Sequence, residues 1–235
     1  MFIIHTMKKV ITVLVLFAGL FLFASMVNQK QAKVVFFGDS ITQQGVNANG
    51  YITKLKDKLA QNGQSAGYEL IGAGIGGNKV YDLYLRMEKD VISHNPNIVV
   101  IFIGINDVWH KATSGTGTDP NKFEQFYTAI INRLKEKNCK VILCTPPAIG
   151  EKTDFTNQQD GDLNYYAQMI RDLAAKNNLP VCDLRKAFLA YNLANNPENK
   201  DRGILTTDRV HLNDKGNQLV ADQIWPLVEK AATGR

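Results

Sequence analysis

Short, mostly apolar runs alternate along this chain with stretches in which apolar side chains recur every three or four positions. The runs lie at 33–37, 68–73, 98–103, 140–144 and 180–184. Their length, their β-branched and aromatic content and the Gly or Pro beside them predict five strands. The run at 98–103 is apolar throughout, the pattern of a strand buried on both faces. The periodic stretches between the runs predict helices. Tyr51, Ile52, Leu55 and Leu59 make one stripe, stopped by Asn62-Gly63, and Val80, Leu83, Tyr84, Met87 and Val91 make a second. Phe123, Phe126, Tyr127, Ile130, Ile131 and Leu134 form a third, opened by Asp119-Pro120 as N-cap and first helical residue. Leu163, Ala167, Ile170 and Leu173-Ala174 form a fourth. A last helix is expected over about 214–231, with Leu219, Val220, Ile224, Leu227 and Val228 inward and a kink at Pro226.

Strand–helix alternation of this kind implies a parallel sheet covered on both faces, a three-layer α/β/α fold. Five strands suggest a flavodoxin-like arrangement, in which sites form outside the carboxyl ends of the strands. One domain over 33–231 accounts for these elements, and about 205 residues are enough for one well-formed core.

The first 27 residues differ from the rest. Lys8-Lys9 precede an apolar run from Val10 to Val27, broken only by Thr12, Gly19 and Ser25. A basic flank before such a run reads as a signal for export, placing the protein in the periplasm or outside the cell. No clean small-x-small cleavage site follows Phe23, and the run approaches the length of the shortest membrane spans, so an uncleaved N-terminal anchor is the alternative reading. The formal charge is +5, or +3 without Lys8 and Lys9, and the basic residues are scattered among acids, as in Lys54-Leu55-Lys56-Asp57-Lys58. No stripe tracks phosphates, which argues against nucleic acid as a partner, and membrane contact is expected only through the leader. Cys139, Cys144 and Cys182 sit beside or in apolar runs and read as buried free thiols, with a Cys144–Cys182 bridge as the alternative. No metal-ligand spacing joins the Cys and the four His.

The candidate chemistry lies at the ends of the expected strands. Ser40 follows the first strand, on a turn opened by Gly38. A serine hydroxyl needs a base to remove its proton during attack. His211 is the candidate base, because Asp208 lies three residues earlier, where it can receive the Nδ1 proton and leave Nε2 facing the serine. His5 lies in the leader, His94 in a polar turn, and His110 in an expected loop beside Trp109. A tetrahedral oxyanion needs preplaced donors. Gly76-Gly77 can offer a backbone N–H at close approach, Asn106 a side-chain amide, and Ser40 its own N–H. Each piece alone also fits a turn, an Asx motif or a helix cap. Their order, with three at successive strand ends, is what the bland readings fail to explain.

Phe37-Gly38-Asp39-Ser40-Ile41-Thr42, Gly104-Ile105-Asn106-Asp107 and Asp208-Arg209-Val210-His211 resemble sequence blocks of the SGNH hydrolases, also called the GDSL esterase/lipase family. The likeness spans nearly all of the chain after the leader. It implies an esterase with Ser40 as nucleophile, His211 as base and Asp208 as its partner. The oxyanion hole would comprise the Ser40 N–H, the Gly77 N–H and the Asn106 side chain. The second block departs from the family's usual Asn-x-Gly, since Gly72-Ala73-Gly74 precede Ile75-Gly76-Gly77. The donor is therefore Gly76 or Gly77, with Asn78-Lys79 favouring Gly77. Such chemistry requires neither metal nor organic cofactor.

Two segments are expected to form long loops that shape the pocket, 108–118 and 148–157. The first carries Trp109 and His110, which together with Asp39 are candidate substrate-binding residues. Neither segment looks like a large apolar lid. Export with a polar-loop site points to small acyl groups, such as acetyl, on a carbohydrate or other small ester. A lysophospholipase or thioesterase using the same residues, and a non-catalytic carbohydrate-binding envelope protein on the same scaffold, are the rival readings.

Overall fold

The computed structural model describes residues 31–234, and the expected leader lies outside them. Residues from Ala32 onward form one compact unit. Its centre is a five-stranded parallel sheet: β1 (Ala32–Gly38), β2 (Tyr68–Gly74), β3 (Ile98–Phe102), β4 (Lys140–Cys144) and β5 (Val181–Cys182), in the order β2-β1-β3-β4-β5. This is the expected flavodoxin-like order. All five residues of β3 are buried, as its unbroken apolar run requires.

Among the described residues eight α-helices accompany the sheet: α1 (Ser40–Gln44), α2 (Tyr51–Gln61), α3 (Val80–Asp90), α4 (Ile105–Ser114), α5 (Pro120–Glu136), α6 (Asp160–Asn177), α7 (Leu184–Asn195) and α8 (Asp214–Thr233). The step from β1 to β2 runs one way across the sheet, and the steps from β2 to β3, β4 and β5 run the other. Right-handed crossovers therefore put α2 on one face and α3, α5 and α6 on the opposite face. Helix α8 packs against α2 and closes the first face. The direction changes at β1, so a crevice opens between the carboxyl ends of β1 and β3. Among the described residues no helix is long and apolar enough to cross a membrane.

Two expectations change in detail. The fifth strand shrinks to Val181–Cys182, because Asp183 accepts the Lys186 N–H and caps α7, which begins at Leu184. The expected loop at 108–118 is mostly the helix α4, whose Ile105 and Val108 are buried against the core. His110 therefore stands on a helix. Helix α8 continues through Pro226 as one helical element. Cys139, Cys144 and Cys182 are buried free thiols, with Cys144 and Cys182 paired in register across β4 and β5.

Candidate active site

Gly38 ends β1 where the chain must turn beneath its neighbours. A Cβ there would lie 2.3 Å from the Phe102 carbonyl oxygen and 2.4 Å from Thr42 Oγ1, so only glycine allows this approach. Asp39 follows as N-cap of α1, its Oδ1 accepting the Ile41 N–H at 3.0 Å. Ser40 is the first residue of α1, where a backbone N–H has no partner within the helix.

Across the crevice, Ser40 Oγ lies 2.9 Å from His211 Nε2, and His211 Nδ1 lies 2.7 Å from Asp208 Oδ2. Asp208 Oδ1 also accepts the backbone N–H groups of Val210 (3.1 Å) and His211 (2.8 Å). One carboxylate thus fixes both the imidazole and the backbone that carries it. Arg209 between them adopts φ +90°, an uncommon conformation for a non-glycine residue, which tightens the turn. Burial acts to raise the Asp208 carboxyl, but the hydrogen bonds from the His211 ring and from the His211 and Val210 amides outweigh it and hold it below its ordinary value. The ionised carboxylate selects the tautomer with hydrogen on Nδ1, so Nε2 is free to accept the serine proton.

The turn after β2 supplies the third corner. The Gly76 N–H donates to Gln43 Oε1 at 2.9 Å and the Asn78 N–H to the Ile75 carbonyl at 3.3 Å. The Gly77 N–H, between them, has no protein acceptor among the described residues. Gly77 sits at φ +76°, the left-handed region that glycine enters without strain. Asn106, in the first turn of α4, is 1% exposed and spends one amide hydrogen on the Asn78 carbonyl at 3.1 Å. Its second amide hydrogen remains available.

Arg86 of α3 ties these pieces together. Its guanidinium donates to the Gly38 carbonyl at 2.7 Å, the Ala73 carbonyl at 3.0 Å and Asn78 Oδ1 at 2.7 Å, and pairs with Asp90 at 2.9 Å. It also stacks over the Phe37 ring at 4.6 Å. The carboxyl ends of β1 and β2 and the Gly77 turn are thereby clamped to one side chain. Gln43 and Arg86 carry no recognisable motif, since each acts on backbone or amide groups that only the fold brings near.

Two buried carboxyls lie beneath the site. Asp39 is pushed up to about 7, first by burial and further by the charge of Asp107. Asp107 is pushed up to about 6 by burial. Its Oδ1 accepts the Val80 N–H at 3.1 Å. Asp107 Oδ2 and Thr118 Oγ1 are buried atoms with no hydrogen-bond partner, and Thr118 acts to lower the Asp107 carboxyl against its burial. Asp39, 1% exposed, caps helix α1 through its Oδ1. Trp109 and His110 do border the site. The Trp109 ring stands edge-on to His211, with centroids 6.3 Å apart and planes at 72°. A Cβ on Gly77 would meet His110 Cε1 at 3.8 Å. Burial, aided by the Lys79 charge, lowers the His110 imidazole below its ordinary value. Among the described residues no cluster of three or more His, Cys, Asp or Glu side chains is arranged to hold a metal ion.

The family model for GDSL-like lipases and acylhydrolases matches residues 36–219 of the chain, which include every residue of this constellation. The chain belongs to the GDSL-like lipase/acylhydrolase family. It is therefore a member of the SGNH hydrolase superfamily, as its sequence blocks imply. Among solved structures, that of an acetyl xylan esterase, AlAXEase, is similar with a TM-score of 0.83 and 66% identity, covering 83% of this chain and 99% of that one. The acetylxylan esterase of Geobacillus stearothermophilus is 29% identical over 205 residues, 80% of this chain and 90% of that protein. An isoamyl acetate-hydrolyzing esterase 1 homolog of Rattus norvegicus is 26% identical over 216 residues, 84% of this chain and 82% of that protein. Within this family frame the departure in the second block has a local cause. Gly72 and Gly74 belong to β2 and pack closely, Gly72 against Val46 and Gly74 against the Gln43 backbone, so a side chain at either would collide.

Proposed function

We propose that this protein is a serine esterase that removes acetyl groups from carbohydrate esters, acetylated xylan or its oligosaccharides being the first substrate to test. The observation that carries the reading is the continuous hydrogen-bonded line from Ser40 Oγ through His211 to Asp208, at 2.9 and 2.7 Å. Ser40 Oγ attacks the ester carbonyl while His211 Nε2 takes its proton. The imidazolium so formed is stabilised by Asp208 and then protonates the leaving sugar oxygen. The carbonyl oxygen, now an oxyanion, takes hydrogen bonds from the Ser40 N–H, the Gly77 N–H and the free Asn106 amide hydrogen. Water, deprotonated by His211, then attacks the acetyl-serine and releases acetate.

The acetyl preference draws on two observations. The three relatives described above are each named for an acetyl ester. In this chain the Gly77 and His211 corners of the site are walled by His110 and Trp109, adjacent residues on one rigid helix. An aromatic ring edge beside the base offers a sugar ring a flat apolar surface.

Hydrolysis of p-nitrophenyl acetate, butyrate and octanoate, followed by acetate release from acetylated xylo-oligosaccharides, tests the reading, with Ser40→Ala measured alongside. The expected result is acetyl-selective turnover that Ser40→Ala reduces by several orders of magnitude. Activity rising with chain length would point to lipid esters instead, and turnover independent of Ser40 would end the serine-esterase reading.

A further inference from the structure

The segment that carries Asp208 and His211 is held from outside by a carboxylate that the reaction does not use. Glu151 lies in the segment after β4, 1% exposed. Its Oε1 accepts the N–H groups of Leu205 (2.6 Å) and Thr206 (2.8 Å), and its Oε2 accepts that of Ile204 (2.8 Å). Three successive backbone donors thus converge on one side chain, the concave arrangement that elsewhere binds anions. Among the described residues no Lys, Arg or His pairs with Glu151, so the three amides are its polar partners.

Residues 204–206 are in turn the strut for the Asp208–His211 turn. Thr206 forms an isolated antiparallel bridge with Leu212. The Arg209 N–H donates to Thr206 Oγ1 at 3.2 Å, and the Thr207 N–H donates to the His211 carbonyl at 2.8 Å. The Asn213 N–H donates to the Leu205 carbonyl at 3.0 Å, and the Asn213 side chain to the Ile204 carbonyl at 3.1 Å. The turn is therefore laced to 204–206 before and after His211. Glu151 itself is fixed by its own backbone, whose N–H donates to the Asp201 carbonyl at 3.0 Å and whose carbonyl accepts from Asn196 Nδ2 at 2.9 Å. The neighbouring Gly150 N–H donates to the Arg209 carbonyl at 2.9 Å, touching the turn directly.

We propose that Glu151 is a positioning residue for the catalytic pair, its carboxylate clasping the 204–206 amides so that His211 Nε2 is held on Ser40. This rests on the esterase reading above. A carboxylate suits the task because it accepts on both oxygens and donates on neither. Glu151→Gln keeps the size but turns one oxygen into a donor facing a donor, whereas Glu151→Ala leaves all three amides without their acceptor. Since displacement of a reacting group by about 1 Å can cost about 100-fold in rate, kcat on p-nitrophenyl acetate is expected to fall about 10-fold in Glu151→Gln and about 100-fold in Glu151→Ala, with KM little changed.

The test compares these variants with Leu134→Ala, a cavity in α5 that lowers thermal stability without touching the turn. Two readouts are taken at a temperature at which all are folded: kcat and KM, and the downfield NMR signal of the His211 Nδ1 proton shared with Asp208. Loss of kcat and a broadened or shifted signal in the Glu151 variants, with neither in Leu134→Ala, is the expected result. An unchanged signal and unchanged kcat in folded Glu151→Ala would overturn the inference. If Ser40→Ala keeps its turnover while the Glu151 variants still perturb the His211 signal, the esterase reading falls and the positioning role stands. Should the Glu151 variants not fold, amide exchange in the wild-type protein decides, since Leu205 and Thr206 amides exchanging as fast as exposed ones would refute the clasp.

Discussion

Removing the Asn106 side chain separates stabilisation of the transition state from packing. In the fold this amide is 1% exposed, with one hydrogen on the Asn78 carbonyl at 3.1 Å and the other available to the oxyanion. Loss of a single oxyanion donor costs about 100- to 1,000-fold in kcat, equivalent to about 2.7–4 kcal/mol, so Asn106→Ala should fall in that range. KM should hardly move, because the donor acts on charge that exists only once the tetrahedral intermediate forms. The same substitution leaves the Asn78 carbonyl without its donor, at a cost of about 1–3 kcal/mol in stability. For a domain of this size that lowers Tm by about 2–4 °C for each kcal/mol. Asn106→Asp offers a sharper comparison. It preserves shape but sets an acceptor against both the Asn78 carbonyl and the oxyanion, and adds a second carboxyl next to buried Asp107. Its kcat should therefore lie below that of Asn106→Ala. Saturation kinetics on p-nitrophenyl acetate with a melting curve for each variant measure both effects. If Asn106→Ala stayed within about threefold of wild type in kcat, or Asn106→Asp exceeded it, the oxyanion assignment would be refuted.

Gly77→Ala tests the other donor by a different route. Its new Cβ would lie 3.8 Å from His110 Cε1, an ordinary contact, so the cost comes from holding a non-glycine at φ +76°, about 1–2 kcal/mol. We expect Tm to fall by a few degrees and kcat to fall with it as the turn relaxes and re-aims the N–H, and a stable variant with full kcat would count against this donor. Asp107→Asn tests the buried carboxyl through pH. Because burial raises Asp107 from 3.8 to about 6, the folded state holds this proton more tightly than the unfolded state does. The stability it contributes is present below about pH 4 and is lost as pH rises through about 6, a swing of up to about 3 kcal/mol. Thermal unfolding between pH 4 and 7 should show Asp107→Asn gaining on wild type as pH rises, and parallel Tm curves would contradict it.

The parts of the fold legible in the sequence are those in which burial on one or both faces dictates the pattern. The five apolar runs mark the five strands, and the stripes beginning at Tyr51, Val80, Phe123 and Leu163 mark helices that each bury one face on the sheet. Legibility fails where that correspondence is blurred. Helix α7 buries Leu184, Phe188, Arg185 and Asn192 while leaving Leu189 and Leu193 exposed, so its apolar residues do not trace its buried face. Arg185 is buried there because Asn164, Asp160 and the Pro147 carbonyl receive its guanidinium. Helix α4 was hidden by Asn, Asp, Thr and Ser, residues that favour turns when nothing packs against them, and it forms because Ile105 and Val108 are drawn into the core.

The site shows the same division at finer grain. Ser40, Asn106, Asp208 and His211 could be singled out because the proposed chemistry rests on their side chains, and side chains are what a sequence spells out. The groups that aim them could not. Gln43 occupies the Gly76 amide and leaves that of Gly77 free, and Arg86 binds three strand-end and turn groups that are 8 to 48 residues away in the chain. Glu151 holds amides more than 50 residues further on. Gln43 and Arg86 satisfy backbone groups at and just beyond the carboxyl ends of β1 and β2, and Glu151 those of the segment before Asp208, where peptide donors and acceptors need partners outside a regular ladder. A parallel sheet gathers its strand ends, and with them its unpaired peptides, at one place. Gln43 and Arg86 are found there because that is where backbone polarity is left to be satisfied, and the side chains of the proposed mechanism would owe their placement to how completely it is.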